Sequence, residues 1–255
     1  MQAINALAPS NLEGPQRLQQ IASWGWLAGF LLIGAGVVAM GFLAQHAPTG
    51  GGAAPGQFAI HSQAIPIYLS VIAMDWAFLY YCWAGVHRHG GTLKTLSGGR
   101  WTSWKSVAAD VAIALPFWAL WEAAAYGIHW LLDSRALGAG GAKTVASLLP
   151  QSALEILIWI GASITAGICE ELAFRGFLQR QLHALTGNIY LAVLSQGVVF
   201  GLFHAYQGWR NVAVISVLGI MFGMLAAWRG NLRANIIVHS WADIWGGWLQ
   251  MLVFR

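Results

Sequence analysis

Charge is what this sequence has least of. Only 9% of its 255 residues are Asp, Glu, Lys or Arg, against 58% hydrophobic side chains, and the mean hydropathy is +0.60. Those values lie outside the range of soluble globular domains and exclude water as the solvent for most of the surface. Cysteine is nearly absent. Cys82 and Cys169 sit inside or at the edge of apolar runs, which excludes a stabilising extracellular disulfide and a Cys-based zinc site and leaves both as small packing residues. The Gly-rich stretch from Pro48 to Gly56 lacks the Lys-Ser/Thr pair of a phosphate loop and reads as a linker. Nor is there a basic cluster. The net charge is +4 and the isoelectric point 9.3, but the 13 Lys and Arg are scattered singly through the loops without interleaved aromatics, so no nucleic-acid partner is expected. The last apolar segment has no lysine for a retinal Schiff base.

What is present is a series of long apolar segments, at about 24–44, 65–87, 107–132, 152–175, 189–206, 211–228 and 232–253. A bilayer core asks for roughly 20 apolar residues per helical span, which predicts an all-α polytopic membrane bundle of about seven or eight transmembrane helices. The first 23 residues are polar, and the run from Trp24 to Ala44 is too long and too late for a cleaved signal segment, so it is expected to be retained as the first span. Residues 1–255 form one membrane domain in this reading, with 1–23 as a polar N-terminal segment. Trp24, Trp26, Trp101, Trp104, Trp130, Trp209 and Trp228 lie near segment ends, where an indole anchors in the headgroups. Gly25 with Gly29, Gly197 with Gly201 and Gly219 with Gly223 are spaced for close helix approach. Under seven spans, Arg17, Arg88, Lys94, Arg100, Lys105, Arg175, Arg180, Arg229 and Arg233 fall on one side of the membrane. Arg135, Lys143, Arg210 and Arg255 fall on the other. The imbalance predicts a cytoplasmic N-terminus and residence in the cell membrane.

Ionisable residues inside apolar spans cost roughly 2.5–3.5 kcal/mol each on insertion scales, so each needs a reason. Three groups stand out: Glu170, Glu171 and Arg175 at the end of the fourth segment, His204 in the fifth, and His239 with Asp243 in the seventh. If 170–186 and 188–204 form a helical hairpin turning at Thr186-Gly187-Asn188, residue 187 is the midpoint of 170 and 204 and the two side chains share one height. The amphipathic piece Gly176–Leu185 is expected to project from the hydrocarbon. That puts Glu170 about 15 Å of helix rise below the boundary and His239 at a similar depth, roughly 13 Å. Glu171 and Arg175 are four apart with the acid first, the favourable order for an ion pair, while Glu170 points about 100° away and stays free to meet His204. His239 and Asp243 are also four apart, so the carboxylate can orient the imidazole or share a ligand with it. A buried acid beside imidazoles can activate water, and the imidazoles can bind metal or stabilise an oxyanion. Glu170, His204, His239 and Asp243 could together hold zinc, and the same groups could work without it. Asp75, Asp110, Glu122 and Glu155 have no comparable arrangement and read as structural or interfacial.

At these positions the sequence resembles the CAAX-prenyl endopeptidase and bacteriocin-processing (CPBP) membrane proteases, whose pattern is Glu-Glu-x-x-x-Arg, Phe-x-x-x-His and His-x-x-x-Asn or Asp on successive membrane helices. Here these are Glu170, Glu171 and Arg175, then Phe200 and His204, then His239 and Asp243, within residues 150–250. The resemblance implies an intramembrane endopeptidase acting on a peptide or protein substrate near the cytoplasmic boundary. Glu170 would be the base for the attacking water, His204 its partner, and His239 with Asp243 the holders of an oxyanion or metal. Asp243 replaces the Asn of the prenyl-protein endopeptidases, and an ionised Asp cannot donate to an oxyanion. Two other classes compete: a non-catalytic protein of the same scaffold, serving bacteriocin immunity or partner binding, and a proton-coupled transporter. The transporter should show internal repeats, and none is visible.

Overall fold

The computed structural model describes residues 20–46, 64–133 and 149–253, and among these every regular element is a helix. They are α1 (Trp24–His46), α2 (Ala64–His87), α3 (Leu93–Ser97), α4 (Trp104–Asp133), α5 (Ala153–Glu170), a π-helical segment (Glu171–Leu178), α6 (Gln179–Thr186), α7 (Ile189–Phe203), a 3-10 turn (Ala205–Gln207), α8 (Trp209–Arg229) and α9 (Arg233–Val253). The seven apolar segments correspond to α1, α2, α4, the continuous run from α5 to α6, α7, α8 and α9. Five of these are long and apolar enough to cross a membrane: α1, α2, α4, the run Ala153–Thr186 and α8. The chain is therefore an all-α, multi-pass helical bundle. The linker Pro48–Gly56 and residues 1–19 of the polar N-terminal segment lie outside the described residues.

Local sequence explains where the site-bearing helix begins and turns back. Ser152 caps α5 by accepting from the Glu155 amide at 3.3 Å, and the Glu155 carboxylate accepts from the Gln151 amide at 2.7 Å. At the far end Gly187 takes the left-handed conformation (φ 66°) and its N–H bonds to the His183 carbonyl. Asn188 then caps α7, its side chain accepting from the amides of Tyr190 and Leu191. The hairpin predicted around residue 187 is thus present. Its register follows the same midpoint, since Phe174 and Phe200, each 13 positions from 187, pack edge to face at 4.9 Å.

Of the small-residue pairs, two act as expected. A Cβ on Gly219 would lie 2.8 Å from the Gly197 Cα, and one on Gly201 would lie 2.6 Å from the Val212 carbonyl, so α7 and α8 touch backbone to backbone. Of the α1 pair only Gly29 is a packing glycine, with the Tyr81 hydroxyl occupying the place its Cβ would take. Gly25 meets nothing nearer than the Ser23 hydroxyl at 3.8 Å. The exposed indoles of Trp24, Trp101, Trp104, Trp130, Trp209 and Trp228 suit an interfacial belt. Trp26 departs from that expectation: it packs against Tyr81 at 4.7 Å and under the Arg88 guanidinium at 5.2 Å.

The piece Gly176–Leu185, whose placement relative to the hydrocarbon the helices alone do not fix, is packed into the protein. Gln179 and Gln181 are buried, and each spends its amide on another segment's backbone: Gln179 donates to the Gly223 carbonyl at 3.1 Å and Gln181 to the Ala22 carbonyl at 2.7 Å. Gln181 also accepts from the Ile21 amide at 3.2 Å. Arg180 donates to the Thr95 carbonyl. In an apolar surround such amides are stable only when paired, and their partners are non-local. α3 lies across this stretch, its Leu96 carbonyl 2.8 Å from where a Gly176 Cβ would be. The end of α3 is tied in turn to the α8–α9 turn, because the Leu232 amide donates to the Ser97 carbonyl at 2.9 Å.

Candidate active site

The site is built where α5 gives way to a π-helical turn. Glu170 is the last α-helical residue, and Glu171 opens eight π-helical residues, all of them buried. Long π segments are rare and frequently mark functional positions. Glu171 is fully enclosed, and its carboxylate accepts three hydrogen bonds. Oε1 accepts from Arg175 Nη1 at 2.8 Å and from His239 Nδ1 at 2.8 Å, and Oε2 accepts from Asn235 Nδ2 at 3.1 Å. The ion pair expected between Glu171 and Arg175 is present, with both side chains at 0% exposure.

Arg175 is held by more than its acid. Its guanidinium lies over the Phe200 ring at 4.2 Å and near the Phe222 ring at 5.2 Å, and Nη2 donates to the Gly219 carbonyl at 3.3 Å. The same two rings flank His239, at 6.0 Å from Phe200 and 5.4 Å from Phe222. Cation and imidazole therefore share one aromatic housing.

With Nδ1 donating to Glu171, His239 directs its other nitrogen at the remaining acids. Nε2 is 3.7 Å from Glu170 Oε2 and 3.7 Å from Asp243 Oδ2. Of the two roles the spacing allowed Asp243, orienting His239 or sharing a ligand with it, the first falls to Glu171, and Asp243 flanks the free nitrogen beside Glu170. Glu170 Oε2 is buried and has no hydrogen-bond partner. Such an acceptor is free to take a hydrogen bond from a water or a substrate group.

His204 stands apart from this group. Its Nδ1 donates to the Phe200 carbonyl at 2.9 Å, and its ring is 4.9 Å from Phe200 and 6.1 Å from Tyr206. Glu170 and His204 share the predicted height through the hairpin register, yet the ion-pair contact of Glu170 is with His239. Among the described residues no group of three or more His, Cys, Asp or Glu stands together as a metal-binding set. The four candidate zinc ligands thus do not converge, the imidazole of His204 being turned to Phe200.

Sequence reasoning passed over three members. Asn235 bonds both Glu171 and the Phe222 carbonyl, at 3.1 and 2.9 Å. Its signal was available, because Asn235, His239 and Asp243 recur at every fourth residue on one face of α9. Phe222 had no such signal. Asp75, read as structural or interfacial, lies on α2 within electrostatic reach of Glu170, His239 and Asp243. Two other acids read that way fit: Asp110 pairs with Arg229 and Arg233, both at 2.8 Å, and Glu122 accepts from the Trp118 indole at 3.0 Å.

No curated protein and no solved structure matches the chain. Residues 152–245 match the family model described as type II CAAX prenyl endopeptidase Rce1-like. That stretch runs from the cap of α5 into α9 and holds Glu170, Glu171, Arg175, His204, His239 and Asp243. Over that stretch, a little over a third of the chain, the protein is similar to the type II CAAX prenyl endopeptidase family.

Proposed function

We propose that this protein is an intramembrane endopeptidase in which Glu170 activates the water that attacks a peptide bond. The observation that carries the reading is the contrast between two adjacent acids. Glu171 has its acceptor capacity taken by Arg175, Asn235 and His239, whereas Glu170 keeps a buried oxygen without a partner beside His239 Nε2. A water between Glu170 and the substrate carbonyl would give its proton to Glu170 as its oxygen adds to the carbonyl carbon. His239, fixed through Nδ1, presents Nε2 to the same space. When it carries a proton there, it donates to the oxygen of the tetrahedral intermediate. Arg175 touches no reacting atom in this scheme and positions Glu171. His204, at the end of α7 and bonded to the Phe200 carbonyl, takes no step in this scheme.

The substrate is a peptide or protein segment that reaches the site within the bilayer. The end of the bundle that carries Arg100, Arg229 and Arg233 faces the cytoplasm of a cell-membrane protein, in keeping with the excess of Lys and Arg on that side. In this reading the reaction runs on these side chains, and cleavage that survives a chelator would support it.

The test is cleavage by purified protein in detergent of fluorogenic peptides, with and without a farnesylated cysteine, before and after treatment with a chelator. The expected result is cleavage that survives the chelator and falls at least ~100-fold in Glu170→Gln, the usual scale of a general base. A Glu170→Gln variant as active as the parent overturns the role of Glu170. A parent that cleaves nothing supports the non-catalytic scaffold instead.

A further inference from the structure

Among the described residues, Asp75 is the acid near the site that lies outside the family match. On α2 it falls on the inward stripe with Tyr68, Ile72, Leu79, Cys82 and Val86, spaced three or four residues apart as one helical face. Phe78, one turn further along α2, meets Phe174, one turn further along α5 and its π segment, with ring centroids 6.2 Å apart. α2 packs along α5, and the contact between Tyr68 and Trp159 at 5.4 Å, earlier on both helices, shows that the two run in the same direction. One turn back from the Phe78–Phe174 contact on each helix stand Asp75 and Glu170. Asp75 Oδ2 is buried and, like Glu170 Oε2, has no hydrogen-bond partner. A second vantage point agrees: Tyr206, in the 3-10 turn, is within electrostatic reach of Glu170, Asp243 and Asp75 together. Helix register and these interactions thus bring carboxyls from three different helices near one another.

We propose that Asp75 is the acid that protonates the departing amine in the hydrolysis begun at Glu170. The inference rests on the endopeptidase reading and adds the step that reading leaves open. Water gives its proton to Glu170 and its oxygen to the carbonyl carbon, forming the tetrahedral intermediate. As the C–N bond breaks, its electron pair stays on nitrogen, which takes the proton held by Asp75. Glu170 then returns its proton through solvent to the Asp75 carboxylate, so the cycle consumes one water and yields one acid and one amine. Two separate carboxyls suit this division, because one must be ionised while the other carries a proton.

Leaving-group dependence tests it. The probes are a farnesylated fluorogenic peptide and the matching depsipeptide, with an ester in place of the scissile amide, since an alkoxide leaves with far less need of a proton than an amine. Asp75→Asn and Asp75→Thr should slow amide cleavage by ~100-fold or more and ester cleavage by less than ~10-fold, the span expected for loss of a general acid. Asp75→Glu should keep the parent's ratio of the two rates. The ratio is taken on one sample, so it does not depend on how much of a variant is folded. Equal losses on both substrates, or no loss on either, overturn the role of Asp75. A parent that cleaves the ester and the amide, with Glu170→Gln cleaving neither, leaves the endopeptidase reading standing even then. A parent that cleaves neither overturns both.

Discussion

Two buried carboxylates organise this bundle, and they differ in what surrounds their partners. Asp110, near the start of α4, is fully enclosed and pairs with Arg229 and Arg233, both at 2.8 Å, while the Trp101 indole donates to it at 3.0 Å. Its cations are partly exposed, at 24% and 19%, so the cluster runs out to the surface and ends there. Glu171 is equally enclosed, but its cation is sealed in as well, and one of its donors is an imidazole whose second nitrogen faces further acids. The first cluster is complete in itself and ties the α2–α4 connection to the α8–α9 turn. The second is open at one end, and the opening is where chemistry can occur. A buried charge says little about function until the last partner in its chain has been found.

Glu171→Ala is the largest test of this difference. It leaves Arg175 as an uncompensated charge in an apolar setting and should cost about 3–5 kcal/mol. It also releases His239 Nδ1, so the protein that does fold should have lost activity. Thermal unfolding in detergent, beside activity per folded molecule, checks both; a variant that melts with the parent would show that Glu171 and Arg175 are not coupled.

Asp110→Ala should cost less, about 1–2 kcal/mol, because Arg229 and Arg233 reach solvent or headgroups once released. Specific activity should remain within about twofold of the parent, since the partners of Asp110 are Trp101, Arg229 and Arg233 and none of them bonds to Glu170 or His239. A loss of activity matching that of Glu171→Ala would erase the distinction between the two clusters.

The helix crossings supply one effect of comparable size and the smallest of all. Gly219→Ala forces a methyl against Gly197 and should destabilise by about 1–3 kcal/mol, whereas Gly25→Ala has room and should be neutral within about 0.5 kcal/mol. Both are read as melting temperature, and Gly25→Ala should reveal no hidden contact on α1.

Much of this was legible in the sequence where the signal was local. The long helices came from segments of spanning length, the turn at Gly187 from a glycine between an apolar helix end and an Asn cap, and the Glu171–Arg175 pair from a separation of four. What could not be read was adjacency between helices distant in sequence. The partners of Gln179 and Gln181 could not be read either, since they are backbone carbonyls of other segments. Asp75 looked structural because nothing in α2 announces that it packs beside α5. Spacing offered Asp243 as the acid that orients His239 or shares a ligand with it, but the orienting acceptor is Glu171, 68 positions away.

The π-helical stretch gives these residues their independence. Each of its hydrogen-bonded loops holds one residue more than an α turn, so the helix beyond it is out of phase with the helix before it by about one position, or ~100° of rotation. Glu170 and Glu171 can thus be set against α9 while Gln179 and Gln181, on the same continuous rod, are set against α8 and the segment before α1. It behaves as a slipped tooth in a gear train: one inserted residue lets the two halves of a single helix mesh with different neighbours. Loss of one residue between 171 and 178 would bring them back into step, and only one of the two meshes could then survive.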